Sequence, residues 1–75
     1  MSPKQATERQ SAILHFIVQY IESHGFPPSL QEIADAMNIN TLRGVSVQLQ
    51  ALEKKGYIRL HHVARGIQVL RKPDD

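Results

Sequence analysis

The apolar residues of this chain recur at helical spacing in three segments. In two short segments that follow, apolar and polar residues alternate as in a strand. The first segment has apolar residues three and four positions apart, the spacing of one buried helical stripe. These residues are Ile13, Phe16, Ile17, Tyr20 and Ile21. Thr7 and Gln10 have the spacing of a capping box, which predicts a helix beginning at Glu8. Gly25 is typical of the residue that follows a helix end.

A second capping box, Ser29 and Glu32, predicts a short helix that ends at Met37. Its predicted inward residues are Ile33, Ala34 and Met37. Residues 38–40 would form the turn after it, because Asn tolerates a positive φ angle at modest cost. The last residue of that turn or Thr41 would cap a third helix.

The third helix is predicted to end before Gly56 and to lead directly into a hairpin. Its expected inward stripe is Leu42, Val45, Leu49 and Leu52. Residues 57–60 and 66–70 alternate apolar and polar side chains, which predicts two strands joined by the loop 61–65. The predicted fold is mostly α with a small β hairpin, in the order αααββ. We expect the hairpin to pack on the helices, since an isolated hairpin is marginally stable.

Length and composition limit the class of protein. Seventy-five residues form one small domain, predicted over 7–70, with a flexible arm at 1–6 and a tail or linker start at 71–75. The sequence has no cysteine for disulfides or thiolate zinc sites. No apolar run approaches the roughly 20 residues of a membrane span, and the polar start has no signal-peptide character. We expect a cytoplasmic protein with no membrane partner.

Charge is unevenly distributed along the chain. Residues 1–40 contain two Lys and Arg residues against four acidic ones, whereas residues 41–73 contain seven against one. The second half could therefore attract a polyanion, or it could be an ordinary solvated basic surface. Charge alone does not separate these two interpretations.

Two helices with a tight connection, the second carrying a polar outer face, predict a helix-turn-helix that places its second helix in the major groove of double-stranded DNA. On that helix Arg43 can donate two hydrogen bonds to guanine, and Val47 can pack on a thymine methyl group. Ser46 and Gln50 can bond base edges or phosphates. Gly44 is unfavourable in a helix, so either something comes close to it or it is a tolerated defect.

Contacts with the DNA backbone are expected from a second set of residues. Thr41 can cap the helix or bond a phosphate, and both can hold if the helix N-terminus lies against the backbone. The predicted backbone contacts are Ser29, Lys54, Lys55, Arg59 and Arg65. Arg65, at the tip of the hairpin, would reach a flanking groove.

Metal binding and catalysis have little support in the sequence. The four histidines, His15, His24, His61 and His62, lack the spacing of a zinc motif. Adjacent strand residues point to opposite faces, so His61 and His62 are expected to adjust the charge of the hairpin, with pH sensitivity at most. No catalytic triad or phosphate-binding glycine loop is present, and we expect no cofactor, no small-molecule substrate and no enzyme activity.

Four segments in order resemble the N-terminal DNA-binding domain of the LexA repressor family. They are Gly25-Phe-Pro-Pro-Ser29, Glu32-Ile-Ala34, Leu49-Gln-Ala-Leu-Glu-Lys-Lys-Gly-Tyr-Ile58 and Arg65-Gly-Ile67. The resemblance covers about residues 7–70. It implies a winged helix-turn-helix that binds a palindromic operator as a homodimer in the SOS response to DNA damage.

The resemblance also implies that the start of the third helix reads the operator. The matching positions are Thr41, Arg43, Gly44, Ser46 and Val47. Arg43 stands where many members have Asn, and Val47 where one has Glu, so the resemblance leaves the operator sequence open. LexA continues into a self-cleaving serine peptidase domain. Because residues 73–75 are typical of a linker start, we favour a fragment of a longer repressor over a stand-alone regulator. The other alternative is a protein-interaction module, which exposed Val47 and Val63 would favour.

Overall fold

Three helices followed by a two-stranded antiparallel hairpin make up residues 6–72, the part of the chain that the computed structural model describes. The elements are α1 (Glu8–His24), α2 (Leu30–Met37), α3 (Leu42–Lys54), β1 (Ile58–Leu60) and β2 (Ile67–Val69). The predicted order αααββ is confirmed, and the arrangement is that of a winged helix-turn-helix. None of the helices in this part of the chain is both long and apolar enough to cross a bilayer.

Both predicted capping boxes are present and fix where α1 and α2 begin. The Thr7 hydroxyl accepts a hydrogen bond from the Gln10 backbone N–H at 3.2 Å, and the Gln10 side chain accepts one from the Thr7 N–H at 3.1 Å. Ser29 and Glu32 repeat the arrangement at 3.1 and 2.8 Å. Each box satisfies two backbone groups that a helix start leaves unpaired.

The two turns between the helices depend on residues with positive φ. Gly25 has φ 82° and donates its N–H to the Ile21 carbonyl, which ends α1. Asn38 has φ 58°, as the sequence predicted for this turn, and ends α2. Thr41, rather than the residue before it, caps α3 by accepting the Gly44 N–H at 3.0 Å.

The core is a single apolar cluster to which every element contributes. Its buried members are Ile13, Leu14, Ile17, Ile33, Ala34, Val45, Leu49, Leu52, Tyr57, Ile58 and Ile67. Leu14 was missing from the predicted stripe of α1, whereas Tyr20 is only half-buried.

Leu42 was predicted to face inward and is instead 45% exposed. At 3.6 residues per turn, its direction lies at the edge of the stripe defined by Val45, Leu49 and Leu52. Leu42 is also the first residue of α3, where the core cluster no longer extends over the helix. The spacing of apolar residues alone therefore overestimated the length of the stripe.

The hairpin packs on α3, as predicted, and its register determines which side chains face outward. Ile58 pairs with Val69, Arg59 with Gln68 and Leu60 with Ile67. Ile58 and Ile67 are buried, whereas the Arg59–Gln68 pair lies on the exposed face. The regular strands are shorter than the predicted 57–60 and 66–70.

Residues on either side of the predicted domain limits contact Tyr57. The Ala6 N–H lies 3.4 Å from the Tyr57 hydroxyl, and the Arg71 guanidinium lies 4.0 Å from the centre of the Tyr57 ring. The rest of the predicted arm and tail, residues 1–5 and 73–75, lies outside the described residues. The domain limits at 7 and 70 stay a prediction.

A salt bridge connects the tip of the hairpin to the start of α2. Arg65 donates to the Glu32 carboxylate through two nitrogens, at 2.7 and 3.1 Å. It also donates to the Pro27 carbonyl at 3.1 Å, and its guanidinium lies 5.0 Å from the centre of the Phe26 ring. The hydrogen bond from Arg65, together with the one from the Ser29 N–H, lowers the pKa of Glu32 to about 2.

We expect Glu32→Gln to lower the free energy of unfolding at neutral pH. We also expect the variant to lose less of that free energy than wild type when the pH is lowered. Gln retains an oxygen for the Ser29 cap but no charge for Arg65. Because the pKa of Glu32 is lowered from 4.5 to about 2, its contribution to the free energy of unfolding is complete above pH 4.5. That contribution is lost as the pH falls towards 2.

Urea unfolding at several pH values between 7 and 2.5 tests this expectation, with Gln31→Ala on the exposed side of α2 as a control. Equal losses of unfolding free energy below pH 4.5 in wild type and Glu32→Gln would contradict it.

Candidate nucleic-acid interface

The face of α3 opposite the core carries an exposed stripe. Arg43, Val47, Gln50 and Lys54 recur at intervals of four, three and four residues and are all exposed. Such spacing places them on one side of a helix. Because Val45, Leu49 and Leu52 are buried on the other side, the stripe points into solvent along the length of α3. Ser46 is half-buried at the edge of the stripe, beside the hairpin.

Gly44 lies outside this stripe, where α3 approaches the turn that precedes it. A Cβ at Gly44 would lie 2.9 Å from Ile39 Cγ2 and 3.2 Å from Thr41 Oγ1. The neighbour that comes close to Gly44 is Ile39, in the turn that precedes α3. A close approach, and not a tolerated defect, therefore accounts for the glycine. Glycine here leaves room for the turn residue Ile39 to pack against α3. A base contact at Gly44 stays a prediction.

An open groove of about 440 Å³ separates α3 from the hairpin loop. Residues 28–30 at the start of α2 form one end of it, Ser46, Leu49 and Gln50 line the α3 side, and residues 60–67 line the hairpin side. The hairpin loop and the outer edge of α3 therefore belong to one continuous surface. A ligand lying along α3 would meet the loop 61–66 as well.

Two of the cations predicted to bind the DNA backbone are exposed to solvent. Lys54 is exposed at the end of α3, and Arg59 is exposed on β1. Lys55, the next residue after Lys54, is half-buried and donates to the Gln10 side chain at 2.6 Å. The change of direction between Lys54 and Lys55 follows from the 100° rotation per helical residue.

Ser29 and Arg65, the other predicted backbone contacts, are engaged within the protein. The Ser29 hydroxyl caps α2, and the Arg65 guanidinium binds Glu32 instead of extending from the hairpin tip. Arg65 has φ 55°, in the left-handed region of backbone conformation. The structure therefore directs this guanidinium towards α2. Contacts from Ser29 or Arg65 to DNA stay predictions.

Several exposed side chains around the groove were not among the predicted site residues. Leu30 is 37% exposed and Val63 70% exposed, and both line the groove. His61 and His62 line it too, with exposed rings. In the sequence, the only signal that these side chains are exposed at the groove is their position in or beside a loop. Within residues 6–72, no three or more His, Asp or Glu side chains are grouped to hold a metal ion.

Comparison with known proteins identifies the family. Residues 3–66 match the family model described as the LexA DNA binding domain. The chain belongs to this LexA family. A LexA repressor from Pseudothermotoga lettingae is 51% identical over 71 residues, which cover 95% of this chain. A LexA repressor from Petrotoga mobilis is 42% identical over 69 residues, and one from Anaeromyxobacter dehalogenans is 48% identical over 52.

The chain spans between about a quarter and a third of the longer LexA relatives. The match covers 35% of the Pseudothermotoga lettingae repressor, 34% of the Petrotoga mobilis repressor and 23% of that from Anaeromyxobacter dehalogenans. The similarity to LexA thus concerns the DNA-binding domain. Residues 6–72 form the helix-turn-helix and its hairpin, and within them no catalytic domain is evident.

The structure explains the glycine of the Arg-Gly-Ile segment in the LexA-like hairpin. A Cβ at Gly66 would lie 2.5 Å from the His61 carbonyl oxygen and 2.7 Å from that of Val63. Both neighbours are backbone atoms, which cannot rotate away as a side chain can. We expect Gly66→Ala to lower the free energy of unfolding by about 1–3 kcal/mol.

Urea unfolding of Gly66→Ala beside Ala64→Ser tests this expectation. Ala64 is exposed in the same loop, and a surface change of this kind is usually within about 0.5 kcal/mol. If Gly66→Ala is as stable as wild type, the loop can rearrange and the steric argument fails.

Proposed function

We propose that this domain binds double-stranded DNA and reads the operator of a LexA-type transcriptional repressor. The observation that carries the proposal is the exposed stripe of α3, which the buried stripe holds outward beside the hairpin. An α-helix fits the major groove of B-DNA, and its side chains then reach base edges. The family membership supports the same function.

The exposed stripe suggests a division of roles along α3. Arg43, in the first turn, is assigned to guanine, because its guanidinium can donate to O6 and N7 together. Val47, one turn later, would contact a thymine methyl group. Ser46 and Gln50 would bond base edges or phosphates, and Lys54 would neutralise a phosphate at the far end.

Arg59 extends the proposed phosphate contacts to the hairpin. Thr41 lies at the N-terminus of α3, where the helix dipole favours a phosphate, and its hydroxyl would keep its cap. DNA contacts from Gly44, Ser29, Lys55 and Arg65 are proposed as additions to the contacts that these residues, like Thr41, make within the protein.

We further propose that two copies bind a palindromic operator. One α3 reads only a few base pairs, so two domains on half-sites about one helical turn apart would supply the affinity that one lacks. By resemblance to LexA, a longer parent protein would add a self-cleaving peptidase and most of the dimer interface, and would act in the SOS response. A cytoplasmic location accords with this role.

A protein-interaction module is the second candidate. Val47 and Val63 are 53% and 70% exposed, and exposed apolar side chains favour protein contacts. The exposed cations Lys54 and Arg59 favour a polyanion instead. Binding of DNA and binding of a protein would also respond differently to salt.

Fluorescence anisotropy tests the proposed function. The domain is titrated against a LexA-type palindromic duplex and a scrambled duplex of equal length, at two salt concentrations. We expect tighter binding to the palindrome, with affinity that falls steeply as salt rises. Equal, salt-sensitive binding to both duplexes would mean that the operator differs. No binding to either duplex at low salt would reject the DNA-binding proposal.

Arg43→Ala and Lys54→Ala are matched variants, since both remove an exposed cation from the stripe of α3. Arg43→Ala should cost about 1–3 kcal/mol on the preferred sequence and relax base preference at one position. Lys54→Ala should weaken binding to all sequences alike and reduce the slope of log K against log salt by about 0.9. If both variants lose affinity equally on every sequence, Arg43 contacts phosphate and not a base.

A further inference from the structure

Two adjacent histidines lie on the proposed DNA-facing surface and have no role in the function described above. His61 and His62 follow β1 directly, and both rings are exposed. Both line the groove across from Ser46 and Gln50 of α3. A DNA duplex lying along α3 would therefore pass close to this part of the loop.

The orientation of His61 is fixed by two contacts with the other side of the hairpin. Its backbone N–H donates to the Gly66 carbonyl at 2.7 Å, and its Nε2 lies 3.1 Å from the Gln68 side-chain oxygen. The Gln68 amide can accept a hydrogen bond from this ring or donate one to it, so the contact holds the position of the ring in either tautomer.

Charged groups of both signs surround the pair. Arg59 lies on β1 two residues before His61, and Arg65 closes the loop but is paired with Glu32 of α2. From α3, the Glu53 carboxylate accepts the Leu60 N–H at 2.9 Å. A positive charge on the rings would therefore lie near one carboxylate of α3.

We propose that His61 and His62 are phosphate-binding residues that act as imidazolium cations, so that affinity for DNA rises as the pH falls from 8 to 6. The inference rests on the proposed DNA-binding function. Histidine is the side chain that ordinarily changes charge in this range, whereas phosphodiesters stay ionised. A charged ring has one more N–H donor than a neutral ring and releases a counterion from DNA. Binding then takes up protons, and acid favours it.

Fluorescence anisotropy at pH 6.0, 7.0 and 8.0 and constant ionic strength tests the proposal with the palindromic duplex. We expect wild type to bind at least threefold more tightly at pH 6.0 than at pH 8.0. The slope of log K against log salt should steepen by up to about 0.9 for each charged ring. The double variant His61→Gln/His62→Gln should lose most of the response to pH.

Two further variants make the experiment specific. His15→Gln alters an exposed histidine on α1, which contributes no residue to the proposed interface, and should keep the response of wild type. His61→Lys/His62→Lys carries a permanent charge and should bind at pH 8.0 about as tightly as wild type at pH 6.0. Circular dichroism at each pH establishes that every variant is folded.

The outcomes separate this inference from the proposed function. An unchanged pH response in His61→Gln/His62→Gln would overturn the inference while DNA binding itself stands. A loss of the response in His15→Gln would overturn it as well, because the titrating group would then lie on α1. Absence of binding at every pH would reject the proposed function.

Discussion

Burial of one side of α3 is the constraint on which the rest of the molecule depends. Val45, Leu49 and Leu52 occupy the centre of the core, where they meet side chains from α1, α2 and β1. Hydrophobic burial is not directional by itself, but a stripe of three large side chains fixes the rotation of the helix about its axis. Once that rotation is fixed, Arg43 and Val47 must face solvent.

The turn between α2 and α3 sets the distance between these two helices. Asn38 reverses the chain with a positive φ, and Ile39 then packs against Gly44. A larger residue at position 44 would require Ile39 to move. Close packing here gives the proposed reading helix a rigid support, and side chains at its start can be placed precisely only if the helix itself does not shift.

The hairpin is positioned by its ends as well as by its packing. Tyr57 anchors its base through contacts with Ala6 and Arg71, and Arg65 anchors its tip through Glu32. Glu32 also belongs to the capping box of α2, so one carboxylate serves both the helix start and the hairpin. That shared use explains why Arg65 is directed inward although it lies in an exposed loop. The loop 61–66 is consequently held beside α3, where the groove forms.

The sequence by itself determined the local features of this protein. Capping boxes at Thr7 and Ser29, the helix ends and the order αααββ follow from residues a few positions apart, and short-range hydrogen bonds and periodic burial act at that range. Family membership was likewise readable from the ordered segments that resemble LexA. The exposed stripe of α3 followed once its buried side was known.

Only the tertiary structure decided which long-range partners each side chain has. Arg65 meets Glu32 across 33 positions, and Lys55 meets Gln10 across 45. Leu42 lies beyond the core although its spacing fits the stripe. Local spacing contains no information about what covers a helix end or which carboxylate a cation reaches, because these depend on how separate elements pack in space. The sequence therefore determined the elements and the outward residues of α3, and packing decided which cations and histidines share their surface.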